Sequence, residues 1–195
     1  MPGTDLQYGM RSRAGRKVDS RSHTRRYSMN PQLSSVTQSW IDLTEENRGT
    51  DRFHISYAAF QSIRRGTGPT PDELANMTPM SPPDARELIG KMIDEGRLRL
   101  DQNQDRVIGA GGLSLEPARQ SLTMGGRTFG TWCALDAVGI PAGLDVDAIV
   151  EATCDDTGDP VRIEISAGTI VDQSPDPLWI TLVPASVAMS VYTHL

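Results

Sequence analysis

At 195 residues, the chain is long enough for one medium-sized domain or for two small ones that share a core. Hydrophobic residues make up 37% of it, an ordinary fraction for a globular protein, and no run approaches the roughly 18 consecutive apolar residues of a membrane helix. The basic N-terminus is not followed by the apolar stretch of a secretory signal. We therefore expect a soluble, cytoplasmic protein with no membrane partner.

The formal net charge of −6 conceals a basic N-terminal segment. Residues 1–30 hold seven Lys or Arg against two Asp. Such an arm could contact nucleic acid, but a segment rich in Arg and Ser with few apolar side chains cannot offset its ordering entropy. We expect residues 1–30 to be a disordered basic arm ahead of an acidic body.

The chain has two cysteines, Cys133 and Cys154. Two thiols in a cytoplasmic protein argue against a disulfide framework and exclude a zinc site built from three or four cysteines. The three histidines show no ligand spacing near either cysteine. The composition therefore does not predict a resident metal.

Residues 31–110 are predicted to be mainly helical. Mixed three- and four-residue apolar spacing favours helix over residues 33–65, and the Gly and Pro residues at 66–69 break it. Residues 70–73, Thr-Pro-Asp-Glu, are a typical helix start, and a second start stands at 81–84. Gly96 is predicted to end that second helix.

A small hairpin should follow, with Leu98 and Leu100 on one strand and Val107 and Ile108 on the other. Two helices followed by a hairpin form the outline of a winged helix-turn-helix unit. Such a unit can read DNA, but the second helix mixes acidic with basic residues and lacks the basic face that phosphate contacts require. A packing role is the preferred interpretation.

Residues 111–195 have the pattern of a sheet domain. Short alternating apolar runs are separated by turns, with one short helix predicted at 132–138 and closed by Gly139 and Pro141. Further strands are predicted at 147–154, around Val161 to Ile165, and at 179–183. The short turns favour antiparallel pairing, so the predicted fold class is α+β.

Cys133 and Asp136 are the candidate chemical groups. They stand three residues apart at the predicted helix start, so their side chains share one face. Unpaired amides and the helix dipole at that position favour a thiolate. A thiolate beside a carboxyl group can bind a soft electrophile and deliver a proton to it. A cysteine flanked by Trp and Leu is also commonly a small buried hydrophobe, so the residues alone leave both interpretations open.

A family resemblance favours the chemical interpretation. Residues 132–136, Trp-Cys-Ala-Leu-Asp, resemble a segment of the alkylmercury (organomercurial) lyases. Residues 112–115, Gly-Leu-Ser-Leu, are similar to a strand start of that family, and Cys154 with Thr-Gly-Asp-Pro-Val at 157–161 is similar to a family hairpin. Leu-Val-Pro at 182–184 resembles the end of the next strand. The resemblance spans about residues 70–184.

The resemblance implies a winged-helix-like unit at 31–110 and a mainly antiparallel catalytic domain of the alkylmercury lyase type at 111–195. It implies protonolysis of carbon–mercury bonds to a hydrocarbon and Hg(II), as part of mercury resistance and detoxification. Cys133 would bind the mercuric ion, and Asp136 would relay a proton and could also contact the metal. Cys154 matches a structural cysteine and is a weaker mercury-binding candidate. No organic cofactor is implied; external thiols would release the product, with possible transfer to a mercuric reductase.

The sequence departs from the family pattern near its end. The family's second catalytic cysteine follows the Leu-Val-Pro strand, and Tyr192 stands at the corresponding place here. The catalytic domain is therefore expected to be incomplete at its C-terminus. Two alternatives to a lyase follow: a catalytically impaired remnant that binds mercury or another soft metal, and a winged-helix regulator that binds DNA through the basic arm.

Overall fold

The computed structural model describes residue 42 and residues 45–180. The predictions for the basic arm at 1–30, for the start of the first helix at 33–41 and for Tyr192 lie outside these residues. Among the helices that the structure describes, none is both long and apolar enough to cross a membrane.

Residues 45–47 are helical, and a turn at 48–50 interrupts the helix predicted over 33–65. Three helices follow, and the side chain of the residue before each one caps it. Helix α1 (Asp51–Arg64) is capped by Thr50, α2 (Pro71–Asn76) by Thr70, and α3 (Pro82–Asp94) by Ser81. In α2 the Thr70 hydroxyl accepts a hydrogen bond from Glu73 N, and the Glu73 carboxylate accepts one from Thr70 N. These observations confirm the two helix starts that the sequence predicts.

Within the described residues, eight strands form one antiparallel sheet in the order β1-β2-β3-β5-β4-β6-β7-β8. A fourth helix, α4 (Ala134–Leu144), lies between β5 and β6 in sequence. The strands are β1 (Leu98–Leu100), β2 (Val107–Ala110), β3 (Leu113–Ser114), β4 (Gln120–Met124), β5 (Arg127–Thr131), β6 (Ala148–Thr153), β7 (Pro160–Ser166) and β8 (Thr169–Ser174). The α+β prediction and the mainly antiparallel pairing are confirmed.

The sheet joins the N-terminal helices to the C-terminal strands. Strand β2 pairs with β1 on one side and with β3 on the other, so the predicted hairpin is continuous with the rest of the sheet. The order helix, helix, hairpin is compatible with a winged helix, which stays an interpretation, as does the division near residue 110. Because α1 packs on β2 and β3, the N-terminal unit shares the sheet that carries the candidate site.

One hydrophobic core underlies both parts of the chain. Helix α4 contacts β4, β5 and β6, while α1 contacts β2 and β3. Burying a Leu or Ile side chain contributes about 1.5–3 kcal/mol, so this core accounts for much of the fold's stability. Its fully buried large members include Ile55, Ile63, Leu74, Ile89, Met92, Leu98, Leu113 and Leu122.

Two details of the predicted sheet domain are wrong. Gly139 and Pro141 do not close the helix, which continues to Leu144 and ends at Asp145 in a left-handed conformation (φ 54°, ψ 47°). Pro141 is fully buried, and this packing compensates for the hydrogen bond that a proline lacks. Strand β8 was not predicted, and Trp179 and Ile180 are outside any strand, while residues 181–183 lie beyond the described part.

Candidate active site

Cys133 lies at the junction between β5 and α4. It is the N-cap of α4, with extended backbone angles (φ −150°, ψ 172°), so it stands just before the first turn rather than within it. An N-cap residue needs a non-helical backbone, and the extended chain leaving β5 at Thr131 supplies one. The thiol is half-buried at the helix terminus, where unpaired amides face it.

Cys133 and Asp136 are joined by three hydrogen bonds. The Cys133 amide and the Cys133 thiol each donate to Asp136 Oδ2 at 3.1 Å, and the Asp136 amide donates to Cys133 Sγ at 3.4 Å. This is a capping box in which a cysteine replaces the usual serine or threonine. The structure therefore brings together the two residues that the sequence singles out.

The Asp136 carboxyl group is in a site that favours its protonated form. Burial raises the pKa of Asp136 above the ordinary value for an aspartic acid, and the two hydrogen bonds from Cys133 act in the opposite direction with smaller effect. The carboxyl group thus retains a proton to higher pH than an exposed Asp does. The Cys133 thiol and the Asp136 carboxyl group can therefore exchange a proton along the hydrogen bond that joins them.

The backbone around Cys133 is held by the neighbouring strands. The buried Thr131 hydroxyl donates to the Cys133 carbonyl at 3.1 Å, and the Trp132 amide donates to the Gly112 carbonyl at 3.0 Å. The Arg99 guanidinium on β1 lies 5.0 Å from the centre of the Trp132 ring, within range of a cation–π interaction. Strands β1, β3 and β5 therefore all contribute to placing the site.

Sequence reasoning missed Thr131, Arg99 and Gly112 as parts of the site. Arg99 acts through a contact between distant segments, which no local pattern reveals, whereas the Thr131 hydroxyl bonds to the carbonyl two residues further on. Gly112 has φ +83°, and a Cβ built on it would lie 2.4 Å from both Cγ and Oδ1 of Asp136. The adjacent glycines at 111 and 112, directly before a strand, were the available signal for an unusual backbone there.

Cys154 lies elsewhere, in the turn between β6 and β7. Its thiol accepts hydrogen bonds from the Thr157 hydroxyl and from the amides of Thr157 and Asp156, and these lower the pKa of Cys154. Strand β4 lies between β5, which leads to Cys133, and β6, which leads to Cys154. The hydrogen-bonding groups that lower the pKa of Cys154 lie in the same turn as Cys154 itself.

No resident metal centre is found in the part of the chain that the structure describes. There, no group of three or more His, Cys, Asp or Glu side chains is arranged to hold a metal ion. The candidate site is instead a two-residue pair of one thiol and one carboxyl group. Among the described residues, Cys133 and a carboxylate oxygen of Asp136 are the groups placed to bind an ion at this position.

The fold and site together define an α+β protein with a half-buried thiol–carboxyl pair at a helix N-terminus. Residues 113–193 match the family model described as alkylmercury lyase. This segment contains Cys133, Asp136 and Cys154. Residues 113–193 are therefore similar to the alkylmercury lyases.

Individual relatives show the same similarity. The chain is 26% identical to an alkylmercury lyase of Bacillus cereus over 133 residues, which cover 68% of this chain and 59% of that protein. It is 28% identical to one of Streptomyces lividans, covering 68% and 60%, and 30% identical to one of Pseudomonas putida over 79 residues, covering 40% and 37%. The chain thus spans about three-fifths of the first two relatives.

A solved structure shares the fold. The crystal structure of the mercury-bound form of MerB2 superposes with a TM-score of 0.63 at 22% identity, covering 73% of this chain and 68% of the other. At that identity the likeness establishes the fold alone. It shows that the helices and antiparallel sheet are arranged as in MerB2.

Proposed function

We propose that this chain is an alkylmercury lyase, which cleaves carbon–mercury bonds by protonolysis at Cys133 and Asp136. The observation that carries the proposal is the 3.1 Å contact between the Cys133 sulfur and Asp136 Oδ2, inside the segment that matches the family. Mercury is the substrate's own atom in this reaction. The relatives named as alkylmercury lyases support the reaction class.

The first step is binding of an organomercurial cation, R–Hg⁺, by Cys133. Hg(II) is a soft ion that prefers thiolate ligands, so the thiol must lose its proton as the sulfur–mercury bond forms. Asp136 Oδ2 already accepts the hydrogen bond from that thiol, so the proton moves along it to the carboxylate. The result is a thiolate-bound R–Hg group beside a protonated Asp136.

The second step is transfer of that proton to carbon. The electron pair of the carbon–mercury bond takes the proton from Asp136, giving the hydrocarbon R–H, while Hg(II) stays on the Cys133 thiolate and Asp136 returns to its carboxylate form. Burial raises the pKa of Asp136, so the carboxyl group holds its proton until the carbon accepts it. One proton enters with the thiol and leaves in the hydrocarbon.

Product release needs a competing ligand. A single thiolate–Hg(II) bond is exchanged readily when a second thiol attacks the metal, so a low-molecular-weight thiol is the expected acceptor. Handover to a mercuric reductase and a place in mercury detoxification remain parts of this proposal. Cys154 is proposed to support its turn rather than the reaction, because its hydrogen bonds come from Asp156 and Thr157.

DNA binding is not favoured by the helix that would enter the groove. On α3, Lys91 forms an ion pair with Glu87 at 2.6 Å, and Arg86 forms one with Asp72 at 2.5 Å. Basic side chains paired with carboxylates contribute little to the phosphate contacts on which DNA affinity depends. The mercury-binding remnant remains as the alternative that the following experiment separates from a lyase.

The test is methane release from methylmercury by the purified protein with excess thiol, followed by gas chromatography of the headspace. We expect sustained methane from the wild type, none above background from Cys133→Ala, and a loss of at least about a hundredfold for Asp136→Asn. Asp145→Asn is the matched control, since it removes a carboxylate from the other end of the same helix. Cys154→Ser is the control for removing a thiol.

The outcomes distinguish the candidates. Methane from the wild type and both controls, but not from the two site variants, supports the lyase. A folded wild type that binds methylmercury and releases no methane overturns it in favour of the binding remnant. Equal rates for Asp136→Asn and the wild type would contradict the role of the carboxyl group.

A further inference from the structure

Gly112 occupies the position directly against the Asp136 carboxyl group. A Cβ on Gly112 would lie 2.4 Å from Asp136 Cγ, 2.4 Å from Oδ1 and 2.9 Å from Cβ, all closer than the 3.0 Å that real Cβ atoms respect. The carboxyl group thus fills the space that any other residue at 112 would need for its own side chain. The contact involves the backbone of one strand entry and the first turn of α4.

The strand pairing makes this contact rigid. Leu113 pairs with Thr131, and the Gly112 carbonyl accepts a hydrogen bond from the Trp132 amide. Gly112 therefore lies opposite Trp132, the residue that precedes Cys133. Gly112 is itself buried, and the hydrogen bond to its carbonyl ties its backbone to Trp132. The steric clash of a side chain at this position would therefore be relieved by movement of Asp136 rather than by movement of β3.

We infer that Gly112 is a positioning residue, whose missing side chain leaves the space that keeps the Asp136 carboxyl group against the Cys133 sulfur. This inference rests on the proposed function for its catalytic meaning, although the geometry it describes does not depend on it. In the proposed reaction, a displaced carboxyl group could neither take the proton of the thiol nor return it to carbon. Gly112 would thus set the distance across which the proton moves.

The adjacent Gly111 provides a matched control. Its φ is +58°, so alanine at 111 also has the strain of a left-handed backbone. A Cβ there would lie 3.3 Å from the Phe60 ring, and its three nearest neighbours are all atoms of Phe60. Comparison of Gly112→Ala with Gly111→Ala therefore separates the effect on the carboxyl group from backbone strain.

The experiment uses the full chain carrying Cys154→Ser, so that iodoacetamide reports Cys133 alone. Alkylation rates are measured across pH for the parent protein, Gly112→Ala, Gly111→Ala and Asp136→Ala. We expect the midpoint pH of alkylation in Gly112→Ala to differ from that of the parent protein by about half a pH unit or more. The Gly112→Ala profile should approach that of Asp136→Ala. Gly111→Ala should keep the parent profile.

Urea unfolding midpoints supply a second readout. Gly112→Ala should lower the midpoint more in the parent protein than in the Asp136→Ala background, because the carboxyl group that it collides with is then gone. If Gly112→Ala does not fold but the double variant does, the same coupling is demonstrated. If neither folds while Gly111→Ala does, the constraint at 112 is not the carboxyl group, and the inference is wrong.

Two further results would overturn it. One is a Gly112→Ala alkylation profile that equals the parent's, although the Asp136→Ala profile is shifted. The other is an Asp136→Ala profile equal to the parent's, since there would then be no carboxyl effect for Gly112 to preserve. Absence of methane from the wild type would refute the lyase but leave both readouts intact, so the two failures are distinguishable.

Discussion

The Cys133 sulfur and Asp136 Oδ2 lie 3.1 Å apart because the same two side chains cap the N-terminus of α4. The Asp136 amide donates to the sulfur, and the Cys133 amide donates to the carboxylate. Folding of the helix therefore assembles the chemical pair. Stability and chemistry share these contacts, and substitutions are needed to separate them.

Serine at position 133 should keep the cap and lose the chemistry. A serine hydroxyl is a favoured N-cap acceptor, so Cys133→Ser should unfold at nearly the wild-type urea concentration, whereas Cys133→Ala should lose about 1 kcal/mol. In a Cys154→Ser background, Cys133→Ser should no longer retain methylmercury in native mass spectrometry. Retention of the metal by that thiol-free protein would contradict assignment of Cys133 as the mercury ligand.

Stability should fall with rising pH because of Asp136. Burial raises the pKa of Asp136 in the folded protein above the unfolded value of about 3.9, so the folded state binds more protons between the two values. The contribution of the protonated group is present in full below the unfolded pKa and is lost as pH rises through the folded pKa. Asp136→Asn removes this dependence.

Urea unfolding from pH 4 to pH 8 measures the effect. The unfolding free energy of the wild type minus that of Asp136→Asn should decrease across the window and become constant above it. The exposed Asp145 at the far end of α4 supplies the control variant Asp145→Asn. A difference that rises with pH would mean that the folded pKa of Asp136 is lowered, opposite to the effect of burial.

Removing the Thr131 hydroxyl should loosen the site. Thr131 is 2% exposed, and its hydroxyl donates to the Cys133 carbonyl, which also accepts from the Ala137 amide at 3.2 Å. Because one bond remains, Thr131→Val should cost about 1 kcal/mol of unfolding free energy. Thr123→Val, which breaks an exposed hydroxyl pair between Thr123 on β4 and Thr128 on β5, should cost less. Equal losses of unfolding free energy in the two variants would show that the Thr131 hydrogen bond is no more stabilising than the exposed one.

Thr157 should control the reactivity of Cys154. Hydrogen bonds, the largest from the Thr157 hydroxyl, lower the pKa of Cys154, so removing that hydroxyl should raise it. In a Cys133→Ser background, Thr157→Val should slow the alkylation of Cys154 by iodoacetamide near neutral pH. The pH dependence of the alkylation rate should move to higher pH. The same replacement at Thr153, one residue before Cys154, is the control. An unchanged profile in Thr157→Val would contradict the assigned hydrogen bond.

Local chemistry made part of the fold predictable. The cap at Thr70 and the start at Ser81 depend on side-chain to backbone contacts three residues away, which the sequence displays directly. The pairing of Cys133 with Asp136 is of the same kind. These features were therefore predicted at the right positions, except that Cys133 is the cap and not a residue of the first turn.

Features decided by tertiary packing were not predictable in this way. The continuation of α4 past Pro141 depends on burial of that proline. Strand β8 is the last strand of the sheet within the described residues, and its Ile170 and Val171 are both exposed and do not alternate. The turn before β8 contains Ala167 at φ 44° followed by Gly168 at φ 69°, and alanine is an unusual residue at positive φ. The contact between Gly112 and Asp136 likewise joins segments 24 residues apart in sequence.

The most direct test of the proposed reaction is one turnover in D₂O. Protein carrying Cys154→Ser is mixed with one equivalent of methylmercury without added thiol, and the headspace gas is analysed by mass spectrometry. We expect nearly one equivalent of CH₃D, with Hg(II) left on Cys133 and strong slowing in Asp136→Asn. Methylmercury that remains intact on Cys133, or CH₃D formed equally fast by Asp136→Asn, would contradict it.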